Sequence, residues 1–227
     1  MRPFDENNWW VLILPLGLFV VATTAAYLLC VRRDVGAGIL ASRPGPAVAA
    51  PSLLSTLGLT WRLQRGALVA WLVSLAVFGA VFGSLGKQVA ELQNSQVAQL
   101  FTKLGGGSAD FSSVFFAAIL AMLGGIATGY IIQALLVAEN EEADGRLEPI
   151  LASAVPRRRW LISHIICATL GITAVFLTIG LTMGVTYGLV VGELSKQLVT
   201  LVGAALVLVP ASLVIAGAVI AAIGLIP

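Results

Sequence analysis

The chain has 227 residues, of which 59% are hydrophobic and 11% are charged, and its formal net charge is +2. A soluble domain carries roughly a quarter charged residues, so this composition excludes a soluble globular protein and indicates an integral membrane protein. The small positive balance does not point to nucleic acid, because in a membrane protein the distribution of basic residues matters more than their sum.

Five apolar segments are candidate membrane spans. They are Trp9–Val31, Ala67–Gly86, Ser112–Ala138, Leu161–Val191 and Leu198–Gly224. About 20 helical residues cross the hydrocarbon core, and an isolated strand would leave its backbone unsatisfied in lipid. The sequence therefore predicts an all-α, polytopic bundle with about five transmembrane helices. Pro210 interrupts the fifth segment and predicts a kink there.

The basic residues separate the connecting segments into two sides. Residues 32–66 and 139–160 hold nine of the 13 basic residues, and the other side holds Arg2, Lys87, Lys103 and Lys196. The positive-inside rule places the arginine-rich segments in the cytoplasm and the N-terminus outside the cell membrane.

The segment before the second span contains a candidate interfacial helix. Its first part is a linker rich in proline and glycine, and the predicted helix then begins after Ser52 as N-cap. Leu57 and Trp61 share one face of this helix, beside Arg62 and Arg65, as in a helix that lies in the membrane interface. The alternative is a simple cytoplasmic extension of the next span.

Small and polar residues within the spans give packing and cavity candidates. Glycines spaced by four predict close helix contacts; they are Gly125, Gly129, Gly180, Gly184, Gly188 and Gly192. Candidate residues of a substrate path are Tyr130, Gln133, Thr178, Thr182, Thr186 and Tyr187. The alternative for the threonines is that they return their hydroxyls to the helix backbone.

Several kinds of chemistry are absent from the sequence. No charged side chain lies deep in a span, which argues against proton or sodium coupling, and His164 near the surface is better explained as a hydrogen-bonded residue. None of the three lysines lies in a phosphate-binding GxxxxGK[ST] loop, and the two cysteines lack metal-like spacing. We therefore predict that this chain has no catalytic residue, no metal site and no cofactor, and that it is not an enzyme.

The segment NEEADGRLEPILASAVPRRRW (Asn140–Trp160) is the most informative stretch. Gly145 suits the end of a helix that projects beyond the third span, and Pro149 suits the start of a short second helix that Pro156 ends. Its small apolar face has spacings of three and four residues, formed by Leu147, Ile150, Leu151 and Ala154. A capped hairpin loop would not need that face, whereas docking to a partner protein would.

This segment resembles the first cytoplasmic loop of ABC type-2 exporter permeases, especially actinobacterial antibiotic or multidrug exporters of the tetronasin-resistance type. The pattern is Glu142-x-x-Gly145-x-Leu147-Glu148-x-x-Leu151, followed by Pro156-x-Arg158. The resemblance implies a coupling helix that docks on a separate ATP-binding subunit, which would hold the ATP and magnesium. The residues it implies are Glu142, Gly145, Arg146, Leu147, Glu148, Ile150, Leu151, Pro156 and Arg158; Arg146 replaces the usual threonine.

The resemblance also implies a domain organisation. Residues 1–31 resemble the last span of a preceding half, 32–51 form a cytoplasmic linker, 52–66 an elbow helix, and 67–227 a partial permease domain with its coupling loop at 139–160. The implied partners are the ATP-binding subunit, a second permease half or a homodimer, the lipid bilayer and an amphipathic small molecule, with no nucleic acid. The alternatives are a non-transporting membrane scaffold or assembly subunit, and an ATP-independent channel or carrier.

Overall fold

The computed structural model describes residues 13–31, 48, 55–86, 88, 111–148, 152 and 155–225. The chain divides into two compact units, residues 1–49 and 50–227. In the first unit, helix α1 (Ile13–Val31) is an apolar helix whose described side chains are exposed. It lies within the predicted first span, and the predicted linker lies almost wholly outside the described residues.

Among its described residues, the second unit has five helices. They are α2 (Thr56–Ser84), α3 (Phe111–Ala143), α4 (Arg157–Val191), α5 (Leu194–Leu206) and α6 (Val209–Leu225). In the described part of the chain, four stretches are long and apolar enough to cross a membrane: α2, α3, α4 and the combined α5–α6 stretch. The apolar stretch Leu16–Val31, which belongs to α1, is shorter than these four. The predicted all-α, multi-pass class is confirmed, and every secondary-structure element in the described part of the chain is helical.

Helix α4 is the centre of the second unit and packs against α2, α3, α5 and α6. Its buried face includes Ile172, Val175, Ile179 and Met183, all fully buried. The opposite side chain of Leu170 is 62% exposed although it is equally apolar. In a helix that is apolar all round, burial follows the shape of the neighbouring helix and not the polarity of the side chain.

The glycine spacing in α4 forms a close seam with α5. A methyl group at Gly180 would lie 2.7 Å from the Cα of Val202, and one at Gly184 would lie 2.9 Å from the Cα of Leu198. Gly188 faces Leu194 in the same way, at 2.7 Å. Backbone meets backbone along this seam, so only glycine fits at these three positions. Gly192 has φ +80° and instead ends α4.

In the contact between α2 and α4, the glycines belong to α2 and the side chains that they accommodate belong to α4. A methyl group at Gly79 would overlap the Thr182 hydroxyl, and one at Gly83 would overlap the Thr186 hydroxyl. The glycines of α2 therefore form notches that receive the threonines of α4. A methyl group at Gly129 would lie 3.3 Å from the Trp71 ring of α2, whereas one at Gly125 would meet no described atom within 4 Å. The packing role of both glycines remains a prediction.

Pro210 produces the predicted irregularity in the last span. Helix α5 ends at Leu206 and α6 begins at Val209, with a turn between them. Proline has no N–H to donate to the Leu206 carbonyl, which removes one bond of the helical ladder. The turn is closed by the bond from Leu208 N to Ala205 O at 3.1 Å.

The start of α2 differs from the predicted elbow helix. Its N-cap is Ser55 and not Ser52, and the Ser55 hydroxyl accepts a hydrogen bond from Gly58 N at 3.1 Å. The helix then continues without a break through Gly66 to Ser84. Residues 52–54 lie outside the described part, and a position in the membrane interface remains a prediction.

The beginning of α2 buries two uncharged polar side chains. Thr60 and Gln64 are 2% and 3% exposed, whereas Leu57 and Trp61 are 44% and 48% exposed. The two arginines of this part of the helix are exposed as well. Exposed apolar side chains are compatible with lipid, whereas the charged ends of arginines need lipid headgroups or water.

Candidate functional site at the α3–α4 loop

Helix α3 ends as its sequence predicts. It continues past the apolar segment to Ala143, and Gly145 follows with φ +71°, in the left-handed region that favours glycine. Gly145 N donates to Glu142 O, and Leu147 N donates to Glu141 O, both at 3.1 Å. These bonds satisfy carbonyls that the helix end would otherwise leave open, so the chain turns sharply at a defined position.

The loop is attached to the bundle by Leu147. Its side chain is 4% exposed and packs with Ala138 of α3 and Trp160 of α4. The sequence placed Leu147 on the docking face, but its own chain already covers it. The geometry favours an anchoring role, because a buried side chain has little surface left for a partner.

The predicted coupling helix is only partly within the described residues. Ala152 N donates to Glu148 O at 2.9 Å, which is the i to i−4 spacing of helical hydrogen bonds. Pro149, Ile150, Leu151 and Ala154 lie outside the described residues, so the short helix and its remaining apolar face stay predictions.

Helix α4 begins with its arginines already in the first turn. Pro156 is the N-cap, and Arg157 is the first helical residue, four positions before the predicted start of the span. Three cations at a positive helix end are unfavourable by themselves. Arg157 is paired with Glu142 near the end of α3, and Arg146 is paired with Asp144. Both pairs are exposed, so each contributes about 1 kcal/mol at most.

A solvent-accessible set of charges remains on this loop. The charged residues of the predicted docking set are exposed, and so is Pro156: they are Glu142, Arg146, Glu148 and Arg158. Together they form an exposed surface of mixed charge between α3 and α4, with Leu147 beneath it. The structure thus brings together the described members of the predicted docking set and places only Leu147 inward.

Below the loop lies a buried polar cluster that the sequence did not predict. Its members are Thr60 and Gln64 of α2, Glu141 of α3, and Trp160, Ser163 and His164 of α4, all at most 6% exposed. Trp160 Nε1 donates to Glu141 Oε2 at 3.0 Å, and His164 Nε2 lies 3.3 Å from the same oxygen. Thr60 and Ser163 share a hydrogen bond of 3.1 Å. The cluster therefore joins three helices.

The Gln64 amide indicates which nitrogen of the His164 ring carries the hydrogen. Gln64 Nε2 donates to Ala134 O at 3.1 Å and lies 3.4 Å from His164 Nδ1. If the amide donates to both, Nδ1 is the acceptor and the other ring nitrogen carries its hydrogen toward Glu141. The prediction that His164 is a hydrogen-bonded residue is confirmed.

The sequence contained a weak signal for this cluster. Gln64 and Glu141 are polar residues next to apolar runs, and His164 is the single histidine of the chain. The sequence does not show that these three residues meet, because Gln64 and His164 are 100 positions apart and come together only when the helices pack.

The candidate substrate-path residues are distributed over different environments. Thr178, Thr182 and Thr186 each donate to the carbonyl four residues earlier, at 2.8 to 2.9 Å, which is the backbone bonding given as the alternative to a substrate path. Tyr130 is buried against Gly171, and Tyr187 is buried against Phe116 with ring centroids 4.4 Å apart.

Gln133 differs from these residues because it is exposed on α3. Its Oε1 accepts a hydrogen bond of 2.7 Å from Trp71 Nε1. Of the six residues, Gln133 is the one whose polar group lies on an exposed surface of a span. A role for any of the six in substrate passage remains a prediction.

No group of three or more metal-binding side chains occurs among the described residues. Cys30 and Cys167 are free thiols, the first exposed and the second buried.

Comparison with known proteins shows what the chain is similar to. Residues 53–227 match a family model described as "Multidrug efflux system permease Rv1217c, C-terminal domain". Over 231 residues the chain is 38% identical to the multidrug efflux system permease protein Rv1217c of Mycobacterium tuberculosis. This alignment covers 100% of the chain and 42% of the relative, so the chain spans less than half of the relative's length. The predicted resemblance to multidrug permeases is confirmed over the region that includes α2 to α6.

Proposed function

Because the chain belongs to the family of the multidrug efflux system permease C-terminal domain, we propose that it is a permease component of an ABC exporter. In this role it moves amphipathic compounds out of the cell across the plasma membrane. The observation that carries the proposal is the family match over residues 53–227, which includes the whole α3–α4 loop.

The energy for transport comes from a separate ATP-binding subunit in this proposal. The chain has no GxxxxGK[ST] loop to hold a nucleotide. The exposed charges of the α3–α4 loop, which include Arg146, Glu148 and Arg158, offer a surface for such a subunit on the cytoplasmic side. Ile150 and Leu151 supply the apolar contacts of the same surface.

The proposed mechanism links docking to movement of the spans. The ATP-binding subunit binds the loop differently before and after hydrolysis, and only such a difference can shift the permease between inward and outward states. The second half of the pathway comes from another permease half or a second copy of this chain. Gln133, with its exposed position on α3, is the first candidate for contact with the transported compound.

The first test asks whether an ATPase accompanies the chain. The tagged chain is purified from membranes of its native host, and the co-purifying proteins are identified and assayed for ATP hydrolysis. A co-purifying ATPase, stimulated by a cationic amphipathic dye such as ethidium, supports the exporter. An ATPase that binds without any dye-dependent activity favours the scaffold, and dye transport without an ATPase favours the carrier.

The second test reverses one charge on the loop. We expect Glu148→Lys to lower ATP-dependent ethidium export by about tenfold, within the usual range of coupling energies, while the protein still inserts. The matched control is Glu193→Lys, the same charge change at an exposed residue at the opposite end of α4. Normal export by Glu148→Lys would count against docking at this loop, and Leu151→Asp provides an independent apolar disruption of the same surface.

A further inference from the structure

The buried cluster below the loop has bonding capacity that its present arrangement does not use. Glu141 Oε1, Gln64 Oε1 and His164 Nε2 are buried without a hydrogen-bond partner among the described residues. His164 Nε2 lies 3.3 Å from Glu141 Oε2, but the two groups are not aligned as a hydrogen bond. Unsatisfied polar groups in an apolar bundle are unfavourable, so a purely structural role explains them poorly.

Glu141 connects this cluster to the loop in two ways. Its backbone carbonyl accepts the hydrogen bond from Leu147 N, which holds the turn after α3. Its side chain accepts from Trp160 Nε1 and faces His164, both on α4. One residue thus joins the backbone of the loop to the first turns of the next helix.

The apolar contacts follow the same route. Leu147 packs on the ring of Trp160, whose indole N–H is bonded to Glu141. The Trp160 ring lies edge-on to the His164 ring, with centroids 5.1 Å apart. A displacement of the loop at Leu147 therefore acts on Trp160, and through it on the carboxylate and the imidazole.

His164 carries the connection on to α2. Its Nδ1 faces the amide of Gln64, and the same amide is bonded to the Ala134 carbonyl of α3. Next to this, Thr60 of α2 is bonded to Ser163 of α4. The route from the loop thus reaches the buried polar face of α2, where that helix begins.

We propose that Glu141 is a positioning residue that holds the α3–α4 loop in one orientation and transmits its movement through His164 to Gln64 of α2. In a second orientation of the loop, the atoms that are unpaired here form hydrogen bonds. This inference rests on the proposed function for its second half, the transmission, but its first half, the holding of the loop, is independent of what the protein transports.

Neighbouring carboxylates provide the control. Glu139 and Glu142 lie on the same helix as Glu141 and are exposed, but Glu142 belongs to the proposed docking surface. Glu139→Gln therefore makes the same chemical change two residues away without altering the cluster. Glu141→Gln keeps size and one acceptor while it removes the charge that faces His164.

The first experiment measures the loop by itself. Hydrogen exchange is followed in the complete chain in nanodiscs, at the amides of residues 144–148. We expect Glu141→Gln to raise their exchange rates about tenfold, as local opening becomes easier, and Glu139→Gln to leave them unchanged. Equal rates in Glu141→Gln and the wild type would overturn the proposal, whatever the protein transports.

The second experiment measures transmission in the complex with its co-purified ATPase. We expect Glu141→Gln to keep ATP hydrolysis within about twofold of the wild type and to lower ethidium moved per ATP about tenfold. A parallel fall in hydrolysis and transport would overturn transmission and leave a stability role. A wild-type chain with no ATP-dependent transport would contradict the proposed function, whereas the exchange result would still decide whether Glu141 holds the loop.

A second variant protects the test against a folding defect. His164→Gln removes the imidazole that joins Glu141 to Gln64 and keeps a polar side chain. We expect it to reproduce the loss of transport per ATP with a smaller change in exchange at the loop, because Trp160 still holds Glu141. Unchanged transport per ATP in a correctly inserted His164→Gln variant would overturn the route through α2.

Discussion

The two ends of α4 are held to their neighbours by different physical means. Along its second half, Gly180, Gly184 and Gly188 bring the α5 backbone into direct contact, and dispersion forces provide the attraction. At its beginning, Ser163 and His164 meet polar groups of α2 and α3 inside the bundle. The glycine seam is a uniform contact that tolerates no added volume, whereas the polar cluster consists of a few directional contacts that can be exchanged one by one.

The largest effect is expected where the seam is filled. In Gly180→Leu the new side chain meets the α5 backbone, which cannot move aside by a rotamer change, so we expect a loss of about 3 kcal/mol in the free energy of unfolding. Unfolding in detergent micelles measures it. Gly203→Leu is the matched control, since a methyl group there meets nothing within 4 Å; an equal loss in both variants would show that α4 and α5 are not in close contact.

An intermediate effect is expected in the polar cluster. Trp160→Phe keeps the aromatic ring over Leu147 but removes the N–H that the buried Glu141 accepts, and we expect a loss of about 2 kcal/mol. The same unfolding measurement applies. Trp61→Phe, at a half-exposed ring of α2, should change stability by less than about 0.5 kcal/mol. A stable Trp160→Phe variant would mean that the cluster is not held by this bond.

The smallest effect is expected at the turn that connects the cluster to the loop. A side chain at Gly145 meets no neighbouring atom, so Gly145→Ala isolates the cost of φ +71° in an L-residue, about 1 kcal/mol. Gly125→Ala is the control, at an exposed helical glycine with open space beside it, where stability should stay equal or rise slightly. Stability of Gly145→Ala equal to the wild type would indicate that α3 does not end in a left-handed turn.

The features that were predictable depend on residues close together in the chain. The apolar segments, the glycine spacing of α4, the turn at Gly145 and the break at Pro210 each follow from a local period or a single backbone preference. The predicted N-cap of α2, Ser52, lies three residues before the observed one, Ser55. Both serines precede the same apolar pattern, and a serine hydroxyl suits either position.

The sequence by itself determined that the chain is a helical membrane protein, that α3 ends in a turn at Gly145, that the last span is broken at Pro210 and which loop carries the charge. Only the tertiary structure decided that Leu147 faces inward, that the threonines of α4 fill notches in α2, and that Glu141, His164 and Gln64 meet. The reason is physical: spans that are apolar on every side give no sign of which face a neighbour will cover. Contacts between residues up to 103 positions apart exist only after the helices have packed.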